Sequence, residues 1–115
     1  PAAVKEVTYQ KEYGFDTIQM HEDALTSEDI VLVHDDLLAT GGTMEAAIKL
    51  IQSFNVKKIY INFVVELDFL EGRKLIEQYG EVTSLIHFWF DKRQYKYKTQ
   101  NQTTPRVTWY LYIQR

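Results

Sequence analysis

Ile30-Val31-Leu32-Val33-His34-Asp35-Asp36-Leu37-Leu38-Ala39-Thr40-Gly41-Gly42-Thr43 is the stretch whose reading decides the fold. Its apolar start, without polar alternation, describes a buried strand of the kind found in parallel sheets. The strand delivers two adjacent carboxylates, Asp35 and Asp36, to its carboxyl end, and a small-residue turn then leads into a helix. A helix start leaves backbone N–H groups without internal partners and carries partial positive charge, so an anion placed against Ala39 to Thr43 collects several amide donors. Gly41 and Gly42 let the backbone approach closely, and Thr40 and Thr43 add hydroxyl donors and are expected to help cap the helix. Asp35 and Asp36 repel a phosphate, so they face sugar hydroxyls or a hydrated magnesium ion. A phosphorylated sugar satisfies both halves of the run.

Outward from this stretch, Met44, Ala47, Ile48, Ile51 and Phe54 recur at helical spacing opposite Glu45, Lys49 and Gln52, with Asn55 as a C-terminal stop. Ile59 to Val65 reads as a second apolar strand. Asp68 is placed to cap a helix that buries Leu75 and Ile76 and ends before Gly80, and Val82 to Phe88 reads as a third strand. Strand, helix, strand, helix, strand at short spacing predicts α/β architecture: a parallel sheet with right-handed crossovers and helices on both faces. Upstream, Val4 to Gln10 reads as a strand or stiff arm, Lys11 to Asp16 as a polar loop, and Thr17 to His21 as extended chain.

At 115 residues, 45% apolar and 25% charged, the composition is that of one ordinary globular domain. A formal charge of -3 offers no basic face for nucleic acid or an anionic membrane, and no apolar run is long enough to span a bilayer. The absence of cysteine excludes disulfides and thiolate metal sites and fits a reducing compartment, with the cytoplasm as the expected location. Pro1 is not a methionine, which fits a processed chain or part of a longer reading frame.

Val31 to Thr43 resembles the phosphoribosyl-diphosphate-binding signature of the type I phosphoribosyltransferases, a Rossmann-like fold. Asp35 to Thr43 is similar to the form carried by the adenine-specific branch, the adenine phosphoribosyltransferases. Tyr9-Gln10-Lys11-Glu12-Tyr13-Gly14 resembles that branch's mobile catalytic loop. Val65-Glu66-Leu67 with Leu70-Glu71-Gly72-Arg73-Lys74-Leu75 resembles its segment after the next strand. The likeness covers Pro1 to about Phe88.

The resemblance implies a magnesium-assisted reaction in which adenine and 5-phosphoribosyl 1-diphosphate give AMP and diphosphate, in a homodimer. It also implies residue roles. Ala39, Thr40, Gly41, Gly42 and Thr43 cradle the 5'-phosphate, and Asp35 and Asp36 hold the ribose hydroxyls, with no direct protein ligand to the metal. Glu12 exchanges a proton with the purine, Tyr13 closes over the site, and Leu67 packs against the base. Arg73 and Lys74 are expected on a wet helix face, Glu66 as a solvent-facing charge, Leu67 alternatively as a core residue at a strand end, and His34 as a packed strand residue. His21 and His87 share no metal-like spacing. Members of the family carry a base-reading hood, the first core strands and a diphosphate loop ahead of the part seen here. Strands of this chain are therefore expected to lack sheet neighbours, and the chain alone to have little turnover. Residues 89–115 fall outside the likeness and are expected to form an atypical tail, with Tyr95 to Lys98 and Val107 to Ile113 as a terminal hairpin. The competing reading is a non-catalytic module that senses a nucleotide or phosphoribosyl diphosphate; an acidic residue at Glu12 favours the enzyme.

Overall fold

The computed structural model describes residues 3–11, 13–88 and 109–114. In chain order these form β1 (Val4–Lys11), β2 (Gly14–His21), β3 (Ile30–Leu38), α1 (Gly42–Gln52), β4 (Lys58–Leu67), a 3-10 turn (Asp68–Leu70), α2 (Gly72–Ile76), β5 (Glu81–Phe88) and β6 (Trp109–Gln114). One sheet has the order β5-β4-β3-β6, with β3, β4 and β5 parallel and β6 antiparallel to β3. The second is the antiparallel ribbon β1-β2.

β3 outruns its apolar start. Pairing of Asp35 with Phe63 and Leu37 with Val65 keeps the chain extended as far as Leu38, so both aspartates stand on the strand itself. Val31, Val33, Ile59, Ile61, Phe63 and Val82 are buried from the sheet, and of the predicted helical stripe Met44, Ala47, Ile48 and Ile51 are buried from α1 and Phe54 just past its end. Ala46 and Leu50 are buried as well, because the ribbon lies over α1: Val7, Ile18 and Met20 pack against the core, and Lys5 Nζ donates to the carbonyl of Ser53. α1 ends at Gln52, and Asn55 follows in the left-handed region with φ 54°.

α1 and α2 adjoin each other, and Tyr79 Oη, just past α2, donates to Glu45 on α1. Two successive crossovers of one hand that step the same way along a sheet deposit their helices on one side. Of the two helical layers expected, the described residues build that one. The opposite face carries a polar ladder instead: His34 Nδ1 lies 2.7 Å from Asn62 Oδ1, and Asn62 Nδ2 donates to Thr83 Oγ1. His34 is thus the strand residue expected.

Three local expectations are corrected. Gly14 to Asp16 belong to β2, because the ribbon pairs down to Lys11 with Gly14. The helix expected after Asp68 begins at Gly72, after a 3-10 turn and without a side-chain cap; Asp68 pairs with His87 instead, at 2.7 Å, and Leu75 is half-buried. Strands of the chain are expected to lack sheet neighbours, but β3 has β4 on one side and β6 on the other, with Asp35 paired to Trp109 and Ile30 to Gln114. Of the strand predicted over Val107 to Ile113, the described part from Trp109 pairs with β3, while Tyr95 to Lys98 lie outside the described residues. No described helix is long and apolar enough to cross a membrane.

Candidate functional site

The run from Asp35 to Thr43 occupies the carboxyl end of β3, the end where open α/β sheets place their ligands. α1 starts from Gly41, whose φ of 88° lies in the left-handed region that glycine enters without penalty. No side chain caps this helix, so the capping expected of Thr40 and Thr43 does not occur. The reason is geometric: with a glycine at the cap position there is no side-chain oxygen to turn back onto the first amides. Those of Gly42, Thr43 and Met44 have no acceptor inside the helix, and Gly42 is exposed. The result is an entrance of amide donors that no side chain among the described residues caps.

The Asp35 side chain sits half-buried beside it, and its carboxyl is held above the ordinary value. Burial is the main cause, opposed by the Asp36 amide, which donates to Asp35 Oδ1 at 2.7 Å, and reinforced by the neighbouring Asp36 charge. An acid made less comfortable as an anion is suited to hydroxyl donors or to a cation that relieves it. Asp36 is exposed.

Tyr13 lies at the tip of the β1-β2 ribbon and is 93% exposed, so the structure does not bring it over the β3 end. Phe15 beside it is also exposed, whereas the base of the ribbon is packed on α1. Glu12 lies outside the described residues.

Leu67 ends β4 and is 7% exposed. Next to it Glu66 is buried, not solvent-facing, and Arg73 does not lie free on a wet face. Arg73 Nε and Nη2 donate to the two Glu66 oxygens at 3.1 and 2.7 Å, and Nη1 donates to the carbonyl of Val82. Ser84 Oγ adds a further hydrogen bond to Glu66. Burial pushes the Glu66 carboxyl up, but the hydrogen bonds from Arg73 and Ser84 and the charges of Arg73 and His87 outweigh it, leaving it below the usual range. This clamp was missed because its parts come from three elements. The available signal was a charge closing an apolar strand, answered by an arginine at the start of the next helix.

Glu66, Asp68 and His87 offer ligand atoms within 4.8 Å of one another. Both Glu66 oxygens are already engaged by Arg73, so the trio reads as part of the clamp.

The sequence profile of the phosphoribosyl transferase domain matches residues 3–102. Adenine phosphoribosyltransferases of Phocaeicola vulgatus and Bacteroides thetaiotaomicron are 56% and 52% identical over 86 residues, each covering 75% of this chain and 49% of theirs. The crystal structure of adenine phosphoribosyltransferase from Thermoanaerobacter pseudethanolicus superposes with a TM-score of 0.67 at 42% identity, over 76% of this chain and 51% of that one. That of the Giardia lamblia enzyme complexed with 9-deazaadenine gives 0.69 at 40% identity, over 76% and 51%. The chain therefore spans about half the length of the curated relatives it matches. With the domain profile matched over residues 3–102, most of its length, the chain belongs to the phosphoribosyl transferase domain family.

Proposed function

We propose that this chain is the sugar-phosphate-binding portion of an adenine phosphoribosyltransferase of purine salvage. The observation that carries the reading is the uncapped start of α1 beside the half-buried Asp35, one feature made for an anion and the other for hydroxyls. Similarity to adenine phosphoribosyltransferases at 40% identity and above, one of them complexed with 9-deazaadenine, supports adenine as the base.

In this reading the amides and hydroxyls of Ala39, Thr40, Gly41, Gly42 and Thr43 hold the 5'-phosphate of phosphoribosyl diphosphate, and Asp35 and Asp36 hold the ribose diol. The purine N9 forms a bond to C1 of the sugar as the bond to diphosphate breaks, and positive charge develops on the ribose ring, where the two aspartates stabilise it. Glu12 takes up or returns the purine proton, Tyr13 swings in with the ribbon to exclude water, and Leu67 packs against the base with the edge left exposed. Magnesium, when bound, would face Asp35 and Asp36 through water and neutralise charge on the leaving diphosphate. A pair of adjacent carboxylates, one of them raised in pKa, fits that hard cation. The Glu66, Asp68 and His87 group, in which Arg73 already takes both Glu66 oxygens, does not. A homodimer in the cytoplasm completes the proposal.

Titrating ribose 5-phosphate and AMP into the isotope-labelled chain, and following backbone amides by NMR, tests it. Perturbations concentrated on Ala39 to Thr43 and Asp35 are expected; saturation elsewhere, or none, overturns it. Incubating adenine and phosphoribosyl diphosphate with the full-length parent separates the enzyme from a non-catalytic sensor, since only the enzyme releases diphosphate and AMP.

A further inference from the structure

Gly72 opens α2, and its missing side chain is a matter of contact. A Cβ at this position would overlap the carbonyl oxygen of Ala39, lie 2.9 Å from Leu38 Cδ1 and 3.1 Å from the carbonyl carbon of Thr40. From the other side, a Cβ on Gly41 would sit 3.1 Å from the Gly72 oxygen. The backbone of α2 therefore rests directly on the back of the phosphate cradle, glycine against glycine. The next residue, Arg73, makes a second set of contacts. Its three hydrogen bonds tie both Glu66 oxygens and the Val82 carbonyl, fixing the end of β4 one residue before Leu67. Leu38 and Glu66 are register partners across β3 and β4, so the two contacts flank one junction of the sheet.

We propose that Gly72 and Arg73 together act as a spacer that sets the distance between the two ends of the nucleotide site. Gly72 is the positioning residue for the phosphate cradle, and Arg73 is the positioning residue for the base end at Leu67. Neither touches ligand. This rests on the site assignment under Proposed function.

The two halves of the spacer predict different losses. Gly72→Ala pushes the Ala39 to Gly41 backbone outward, so ribose 5-phosphate and AMP both bind at least tenfold more weakly. Arg73→Lys keeps the charge but loses the fork that holds both Glu66 oxygens. It leaves ribose 5-phosphate within twofold of the wild type and removes the advantage of AMP over ribose 5-phosphate. The experiment titrates both ligands into wild type, Gly72→Ala and Arg73→Lys, with the amides of Val33 and Ile61 reporting on the fold. A wild-type chain in which ribose 5-phosphate leaves Ala39 to Thr43 unperturbed overturns the site assignment and the spacer with it. A wild type that binds there while Gly72→Ala matches it, or while Arg73→Lys matches it or weakens both ligands in equal proportion, overturns the spacer alone. If Gly72→Ala loses its amide dispersion, the Arg73→Lys ratio decides.

Discussion

Replacing Arg73 by methionine keeps most of its volume and strips Glu66 of its guanidinium hydrogen-bond donor. Three hydrogen bonds disappear, two of them to a carboxylate whose side chain is 6% exposed. Breaking a buried pair from one side costs about 3–5 kcal/mol, because the surviving charge stays buried without compensation. Arg73 is itself 33% exposed, so water reaches part of the vacated volume and the loss falls near the lower end, about 3 kcal/mol. For a domain of this size that lowers the melting temperature by roughly 10–15 °C.

The pH dependence has a definite sign. Glu66 is depressed in the folded wild type, so its contribution is full above its unfolded value, near 4.5, and fades as pH falls through the lower folded value. In the variant the unpaired, buried carboxyl is raised instead, and acid relieves it. The stability gap is therefore widest at neutral pH and narrows under mild acid. Urea unfolding at both conditions measures it, with Arg73→Met/Glu66→Leu as the second arm. The apolar double variant should recover most of the loss, since buried pairs exchanged for packed hydrophobes are often neutral. A single variant within about 0.5 kcal/mol of wild type, a gap that widens in acid, or a double variant no better than the single would each refute the reasoning.

Ile48→Ala, at the fully buried centre of α1, should cost about 2–5 kcal/mol, read by calorimetry. Gly41→Ala forces a side chain into the left-handed region and towards the Gly72 carbonyl; about 1–2 kcal/mol of stability and at least a tenfold loss of ribose 5-phosphate binding should go together in melting and titration. Asp35→Asn should separate stability from binding. Because burial raises the folded Asp35 above its unfolded value, its charge destabilises the chain at neutral pH, and the amide relieves this. The gain should vanish in acid below the ordinary carboxylate value, while AMP binding falls at least tenfold.

What the chain reveals before folding is what lies contiguous in it. The buried strand, the paired acids and the glycine turn follow one another along Ile30 to Thr43, so their chemistry is readable in order. Where β3 ends is not, because Asp35 to Leu38 are held extended by β4 and no local preference marks the limit. The ribbon had the same difficulty: a polar, glycine-containing stretch looks like a loop until its ladder to β1 is known. Glu66, Arg73 and Ser84 look like separate surface groups until three elements converge, and Gly72 shows its purpose only as the neighbour of Ala39. The spacing of His87 gave no hint of Asp68 for the same reason.

The direction of β6 has a practical outcome. β5 has its last residue, Phe88, opposite Leu67, and β6 has its first, Trp109, opposite Asp35, both at the mouth where nucleotide is expected. β6 then travels away, so Gln114 finishes alongside Ile30 at the far rim. A fluorophore or affinity handle fused after Arg115 is thereby carried clear of that mouth, whereas an insertion between Phe88 and Trp109 is tethered to it at either side.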